Sequence, residues 1–204
     1  MSKNTTIAGT DGQPRCRWCA AAPEFEAYHD REWGFPVADD TRLFEKICLE
    51  AFQSGLSWRT ILAKRENFRR AFDGFDFHRV ARFGEKDVDR LLQDEGIVRH
   101  RGKIEAVVHN AGCAVQLQAE RGSLAAYFWQ FEIDPASAAA PQTVTTAPEA
   151  VALAKDLKKR GWKFVGPTTV YAFMQAMGLV NDHAEECVIA GRVAEMRQRF
   201  SKPA

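Results

Sequence analysis

Apolar residues recur along most of this chain at spacings of three and four, the period of a helix with one buried face, and strand-like alternation is scarce. Leu43, Phe44, Ile47, Cys48 and Ala51 form one such stripe. Asp39 and Asp40 stand ahead of it as capping residues, and the pattern predicts a helix to about Gln53. Ser57 opens a second helix, which carries Trp58, Ile61, Leu62 and Phe72 and ends near Gly74. Asp76 caps a short one through Val80 and Phe83. Residues 85–95 and 103–120 predict two more, the latter striped with Ile104, Val107, Val108, Ala111 and Val115. An Asp-Pro step, an Ala-rich run, Pro141 and a Thr-rich run make residues 133–147 a loop. Pro148 then starts a helix through Val151, Ala154 and Leu157. The chain turns through 161–166 and restarts at Pro167 with Val170, Phe173 and Met174. No repeat of fixed period is present. The fold class is all-α. Residues 1–14, rich in Thr, Gly, Ser and Asn, read as a disordered leader, 15–190 as a single domain and 191–204 as a C-terminal tail.

Composition narrows the class. With 204 residues, 46% of them hydrophobic, the chain can bury a substantial core. Five cysteines, an odd number, without an N-terminal apolar run argue against a secreted disulfide scaffold. No apolar run reaches the ~18 residues that span a bilayer. The expectation is a cytoplasmic monomer with no membrane partner. A net charge of +1 gives no global attraction to nucleic acid. Basic residues nevertheless cluster at Lys64-Arg65 with Arg69-Arg70, at 99–103, and at 158–163, which suggests a polyanion. Five tryptophans and fourteen phenylalanines exceed what a core of this size requires.

Three features carry candidate chemistry. Cys16, Cys19 and His29 lie near one end of the sequence, and His183 and Cys187 near the other. Thiolate and imidazole are the ligands zinc prefers, and four of them close a tetrahedron with no position left for water, so the group reads as a structural clamp. His183 and Cys187 stand four apart, which places both on one face of a helical turn. Spacing favours Cys16 with Cys19 as the N-terminal pair, while His29 is an equally legitimate ligand. Cys48 and Cys113, among apolar neighbours, read as core. The second feature is the turn at 161–166: Gly166 before Pro167, Thr168 and Thr169, flanked by Lys158, Lys159 and Lys163, presents backbone amides and a helix N-terminus to a phosphodiester. The third is Glu50, at the margin of an apolar stripe and followed by small, polar and aromatic residues to Trp58. A half-buried carboxylate beside rings suits a cation or a polarised base edge.

Longer motifs carry a family resemblance. Cys16-Arg-Trp18, Tyr28-His29-Asp30-x-Glu32-Trp33-Gly34, Leu43-Phe44-Glu45-x-Ile47-Cys48-Leu49-Glu50 and Gln53-x-Gly55-Leu56-Ser57-Trp58 resemble the 3-methyladenine DNA glycosylase I family. So do Gly96-Ile97-x-Arg99-His100-Arg101-Gly102-Lys103-Ile104, Lys163-Phe164-Val165-Gly166 and Phe173-Met174-Gln175-Ala176-x-Gly178-Leu179-Val180-Asn181-Asp182-His183. The resemblance covers about residues 15 to 187. It implies a helix-hairpin-helix fold that removes 3-methyladenine from alkylated double-stranded DNA, releases the free base and leaves an abasic site. It implies structural zinc held by Cys16, His29, His183 and Cys187, with Cys19 an extra thiol. It places Glu50 in the base pocket, with Tyr28, Trp58 and Trp18 lining it and Trp33 nearby. Because the family is monofunctional, it makes Lys103 and Lys163 DNA contacts, not Schiff-base nucleophiles. Leu56, beside Gly55, is the candidate wedge for the gap left by an extruded nucleotide. Many helix-hairpin-helix glycosylases carry a catalytic Asp after the hairpin, a role open to Asp182, but because it directly precedes a metal ligand, orienting that ligand or capping a helix is the favoured expectation. The rival class is a non-catalytic, zinc-clamped module that binds damaged DNA; such a binder has no need of Glu50 and its rings.

Overall fold

In the computed structural model, which describes residues 5–203, the chain opens with an antiparallel hairpin. Its strands β1 (Thr6–Ala8) and β2 (Pro14–Cys16) pair Thr6 with Cys16, Ile7 with Arg15 and Ala8 with Pro14. Ordered backbone therefore replaces the expected disordered leader over residues 5–14; residues 1–4 lie outside the described residues. Polar pairing, not apolar burial, holds this segment. Arg15 is buried and forms ion pairs with Asp11 and Asp30, and Glu26 accepts hydrogen bonds from the amide and hydroxyl of Thr10.

A 3-10 turn (Arg17–Ala21) leads into α1 (Pro23–Arg31), which begins on a proline whose missing N–H costs nothing at a first helical position. The predicted second element is α2 (Asp40–Gln53), capped by Asp39 accepting from the Arg42 amide at 2.7 Å. Its apolar stripe suggested one buried face. In fact every residue from Leu43 to Phe52 is buried, and the charged ones survive by pairing: Glu45 with Arg69, Lys46 with Glu50. The stretch after Ser57 is two helices, α3 (Trp58–Ala63) and α4 (Arg65–Ala71), broken at Lys64. Asp76 caps α5 (Phe77–Val80), and α6 (Glu85–Gln93), α7 (Arg101–Arg121) and α8 (Leu124–Phe128) follow. Residues 133–147 are irregular, as expected.

The last three helices are α9 (Pro148–Lys159), α10 (Pro167–Ala176) and α11 (Val188–Arg199). α9 and α10 form a helical hairpin joined by a short turn, and α10 packs on α2. Two expectations change here. Residues 191–204 are not simply a tail, because α11 runs to Arg199 and buries Ile189 and Val193. His183 and Cys187 do not share a helical turn: 181–187 is irregular and Cys187 is the N-cap of α11. No helix of the described residues is long and apolar enough to cross a membrane.

Candidate active site and metal cluster

A cavity of about 310 Å³ opens between α1, α2, the turn after α2, α10 and the loop before α9, within the size range of small-molecule sites. Trp18, Tyr28, Trp33, Glu50 and Trp58 line it, so the structure brings together all five expected pocket residues. Tyr28 and Trp58 rings lie 5.4 Å apart, and Trp18 packs edge-on to Trp33 at 5.0 Å. Glu50 is only 6% exposed. A carboxylate so placed needs a partner, and it has one: Lys46 Nζ lies 2.7 Å from Glu50 Oε1. Burial pulls the Lys46 ammonium below the usual lysine range, opposed by the Glu50 charge. Burial, and then the charge of Glu50, push the Tyr28 phenol well up, so it stays protonated.

Other residues complete the wall, of which Gln142 had no signal in the sequence and Gln53, Gln175 and Asp182 stood in the family motifs. Gln53, Gln142, Gln175 and Asp182 also face the cavity. Asp182 accepts from the Gln142 amide at 2.9 Å and from Gln175 Nε2 at 2.6 Å, while burial raises its carboxyl above the usual value. The expectation that Asp182 orients a metal ligand or caps a helix is thus corrected; it helps form the cavity. Gln142, at φ +59°, comes from a loop whose arrival here depends on long-range packing. Asn181 holds the neighbouring imidazole in place, its side-chain oxygen lying 3.1 Å from His183 Nδ1.

Behind the aromatic wall lies the Cys/His cluster. Ligand atoms of Cys16, His29 and Cys187 all fall within 4.8 Å of one another. Cys187 Sγ is 3.5 Å from His29 Nε2, close to the ~3.5 Å that tetrahedral zinc geometry sets between a sulfur and a nitrogen at ordinary bond lengths. The His183 ring sits 4.8 Å from that of His29, and its buried Nε2 has no hydrogen-bond partner. His183 lies outside that 4.8 Å group, but a buried orphan nitrogen on a ring packed against His29 suits a metal ligand. Burial lowers the His183 imidazole to about 4, which keeps it in the neutral, metal-binding form. Contact with Cys16 and with His29 holds the Cys187 thiol below the usual thiol range, and the same contact and burial push Cys16 up. Asp30 Oδ1 lies 2.7 Å from His29 Nδ1 and Asp30 is itself gripped by Arg15, a carboxylate–histidine orientation common behind metal ligands. Gly34, at φ +87°, passes so close to the His183 ring that an added Cβ would lie 2.7 Å from its Cε1. Cys19 is buried in a separate small cluster with Ala22 and Phe25. Cys48 is core, whereas Cys113 is only half-buried, beside His109.

In the α9–α10 turn, Gly166 is the N-cap of α10, Thr168 is exposed and Thr169 half-buried. Lys158, Lys159 and Lys163 are exposed along the same edge, and Phe164, at φ +57°, is 40% exposed. Leu56 is 42% exposed, between the cavity residues Gln53 and Trp58. Lys103, expected as a DNA contact, is buried and donates to the carbonyls of Phe52 and Ser54 at 2.8 and 2.5 Å. It caps the end of α2 and is not available to a phosphate. The other basic clusters are largely engaged too: Arg65 with Glu32, Arg69 with Glu45, and Arg101 with Glu85 and Asp89.

A helical fold with an aromatic, acid-bearing cavity beside a helical hairpin is the architecture of a base-excising enzyme, and the relatives agree. The methyladenine glycosylase family model matches residues 18–190, and the chain belongs to that family. It is 48% identical to DNA-3-methyladenine glycosylase 1 of Escherichia coli over 177 residues, covering 85% of this chain and 95% of the relative. It is 45% identical to DNA-3-methyladenine glycosylase of Haemophilus influenzae over 177 residues, covering 85% and 96%. A crystal structure of 3-methyladenine DNA glycosylase I superposes with a TM-score of 0.79 at 48% identity, over 85% of this chain and 98% of that one. A variant of 3-methyladenine DNA glycosylase I solved in complex with 3-methyladenine superposes at 0.77 with 34% identity, over 84% and 96%.

Proposed function

We propose that this chain is a monofunctional DNA-3-methyladenine glycosylase of base excision repair, cutting the N-glycosidic bond of 3-methyladenine in alkylated double-stranded DNA and leaving an abasic site. The observation that carries this reading is the cavity itself, in which a buried carboxylate, Glu50, sits among Trp18, Tyr28, Trp33 and Trp58. Methylation at N3 puts a positive charge on adenine and makes it a good leaving group. Water adds at the sugar C1′, and the base departs with the electrons of the broken bond. No strong acid is required. The protein must extrude the nucleotide, hold the damaged base and stabilise the sugar as it becomes electron-poor. Unstacking costs a few kcal/mol, and stacking on rings such as Trp58 or Tyr28 offsets it at ~1–3 kcal/mol per base. Glu50 favours the cationic base over neutral adenine, and its charge also stabilises the positive charge developing on the sugar.

The remaining parts serve that act. α9, the turn and α10 form a helix-hairpin-helix element that binds the DNA backbone through the amides of Gly166 and its successors, Thr168, Thr169 and Lys163. Leu56 enters the gap left by the flipped nucleotide. Cys16, His29, His183 and Cys187 hold one structural zinc; four protein ligands leave no open position, so it takes no part in the chemistry. The 3.5 Å separation of Cys187 and His29 and the orphan nitrogen of His183 support that ligand set. The protein acts as a monomer in the cytoplasm. Incubation with methylated duplex DNA, followed by chromatography of the released bases, tests the assignment. Free 3-methyladenine is the expected product. Tight duplex binding with no base released would favour a damage-binding module instead.

A further inference from the structure

Lys46 is buried one turn before Glu50 on α2, and its single ammonium meets three members of the cavity wall. Nζ lies 2.7 Å from Glu50 Oε1, donates to the Tyr28 hydroxyl oxygen at 2.9 Å, and sits over the Trp58 indole 3.4 Å from the ring centroid. Each contact has a directional consequence. An ammonium has only donors, so Tyr28 must accept from it, which leaves the phenolic proton to donate elsewhere. One oxygen of Glu50 is engaged by Lys46 while the residue still lines the cavity. One face of Trp58 is covered by a cation, so a base that stacks on this ring has only the other face. Lys46 itself does not line that cavity; it lies behind it, in a polar recess with Glu32, Arg42, Glu45 and Arg65.

A buried ion pair is a poor way to stabilise a core, since apolar residues of similar volume do as well or better. Its placement here has a functional reason. A carboxylate alone among aromatic rings would be driven to protonate or to turn toward solvent whenever no cationic base is bound. We infer that Lys46 is a positioning residue for base excision: its ammonium holds the Glu50 carboxylate in place and aimed at the base, and orients Tyr28 and Trp58 around it, without touching the substrate. The inference rests on the reading of this cavity as the base site.

The test is a double-variant cycle in single-turnover excision on methylated duplex, with duplex affinity measured in parallel. Lys46→Met, close in length and apolar, should lower the maximal excision rate about tenfold or more, the scale on which misplaced catalytic groups act, and leave duplex affinity unchanged. In the Glu50→Gln background the same change should cost no more than about threefold, because a residue that acts through Glu50 has little left to position. Lys46→Met alone strands Glu50 and is the variant at risk of misfolding. The double variant carries no unpaired charge, so if the single variant does not fold, the double variant compared with Glu50→Gln decides the matter. A wild-type rate in folded Lys46→Met, or a full tenfold further loss in the double variant, would overturn the role. A wild-type rate in Glu50→Gln itself would instead remove the base-site reading beneath it.

Discussion

Glu50 occupies a place where a carboxylate is costly unless a cation stands beside it, and the Lys46 ammonium supplies that cation at 2.7 Å. Glu50→Gln keeps the shape of the side chain, and its amide oxygen can still accept from Lys46. The variant should therefore fold with a loss of stability below the ~3–5 kcal/mol of an outright unpaired buried charge, bind duplex DNA as the wild type does, and excise 3-methyladenine about tenfold to a thousandfold more slowly, equivalent to ~1.4–4 kcal/mol of transition-state stabilisation. Single-turnover rates with calorimetric melts check all three parts; an unchanged rate would take the carboxylate out of the chemistry. At this scale the sequence was informative about some residues and silent about others. Glu50 stood out at the edge of a stripe, and the rings followed from the family motifs. Lys46 left only a Lys–Glu pair four apart on a helix, a spacing far more common on solvent faces. Gln142 reaches the cavity through a loop, and loop placement is decided by tertiary contacts that local pattern does not encode.

Elements with strong caps were readable. Asp39, Ser57 and Asp76 each accept from a backbone amide of the helix they precede, and Pro148 and Pro167 each open one. The elements that escaped notice include α8, short although Ser123 caps it, and several held by distant partners: the β1–β2 hairpin by Arg15 and its two aspartates, α1 by its contacts with the preceding turn, and α11 by a few apolar residues. The basic clusters show the same limit. Lys103 and Lys163 look alike in the sequence, yet one caps α2 from inside and the other is exposed on the α9–α10 turn. Their variants should therefore diverge. Lys163→Ala should weaken binding to every duplex alike and reduce the salt slope by about one, the signature of a lost phosphate contact. Lys103→Met should leave the salt slope unchanged, destabilise the fold by ~1–3 kcal/mol through two deprived carbonyls, and slow excision by loosening the turn that carries Leu56. Titrations of affinity against salt, set beside thermal melts, separate the two; a lowered salt slope in Lys103→Met would restore it as a DNA contact.

Across the whole molecule, the Cys/His cluster joins segments that are remote in sequence: β2 brings Cys16, α1 brings His29, and the segment entering α11 brings His183 and Cys187. It is also joined to the cavity. Trp18 packs against His29 at 5.4 Å and Trp33 against His183 at 4.6 Å, and both tryptophans line the cavity. Metal loss should therefore be felt in both stability and excision. Structural zinc sites contribute ~10 kcal/mol or more of apparent folding free energy, so Cys187→Ala should purify without stoichiometric zinc, melt at a markedly lower temperature, and lose excision even where it remains folded, because the Trp18–Trp33 wall is no longer backed by fixed imidazoles. Cys19→Ala should keep its zinc and its rate, since Cys19 lies in a separate apolar cluster. A strong chelator should reproduce the Cys187→Ala behaviour in the wild type, and added zinc should reverse it. Elemental analysis, melting and single-turnover excision on the same preparations check the whole chain of reasoning. Full zinc in Cys16→Ala together with none in Cys19→Ala would move the N-terminal ligand to Cys19. A metal-free protein with wild-type excision would show that the aromatic wall stands without the clamp.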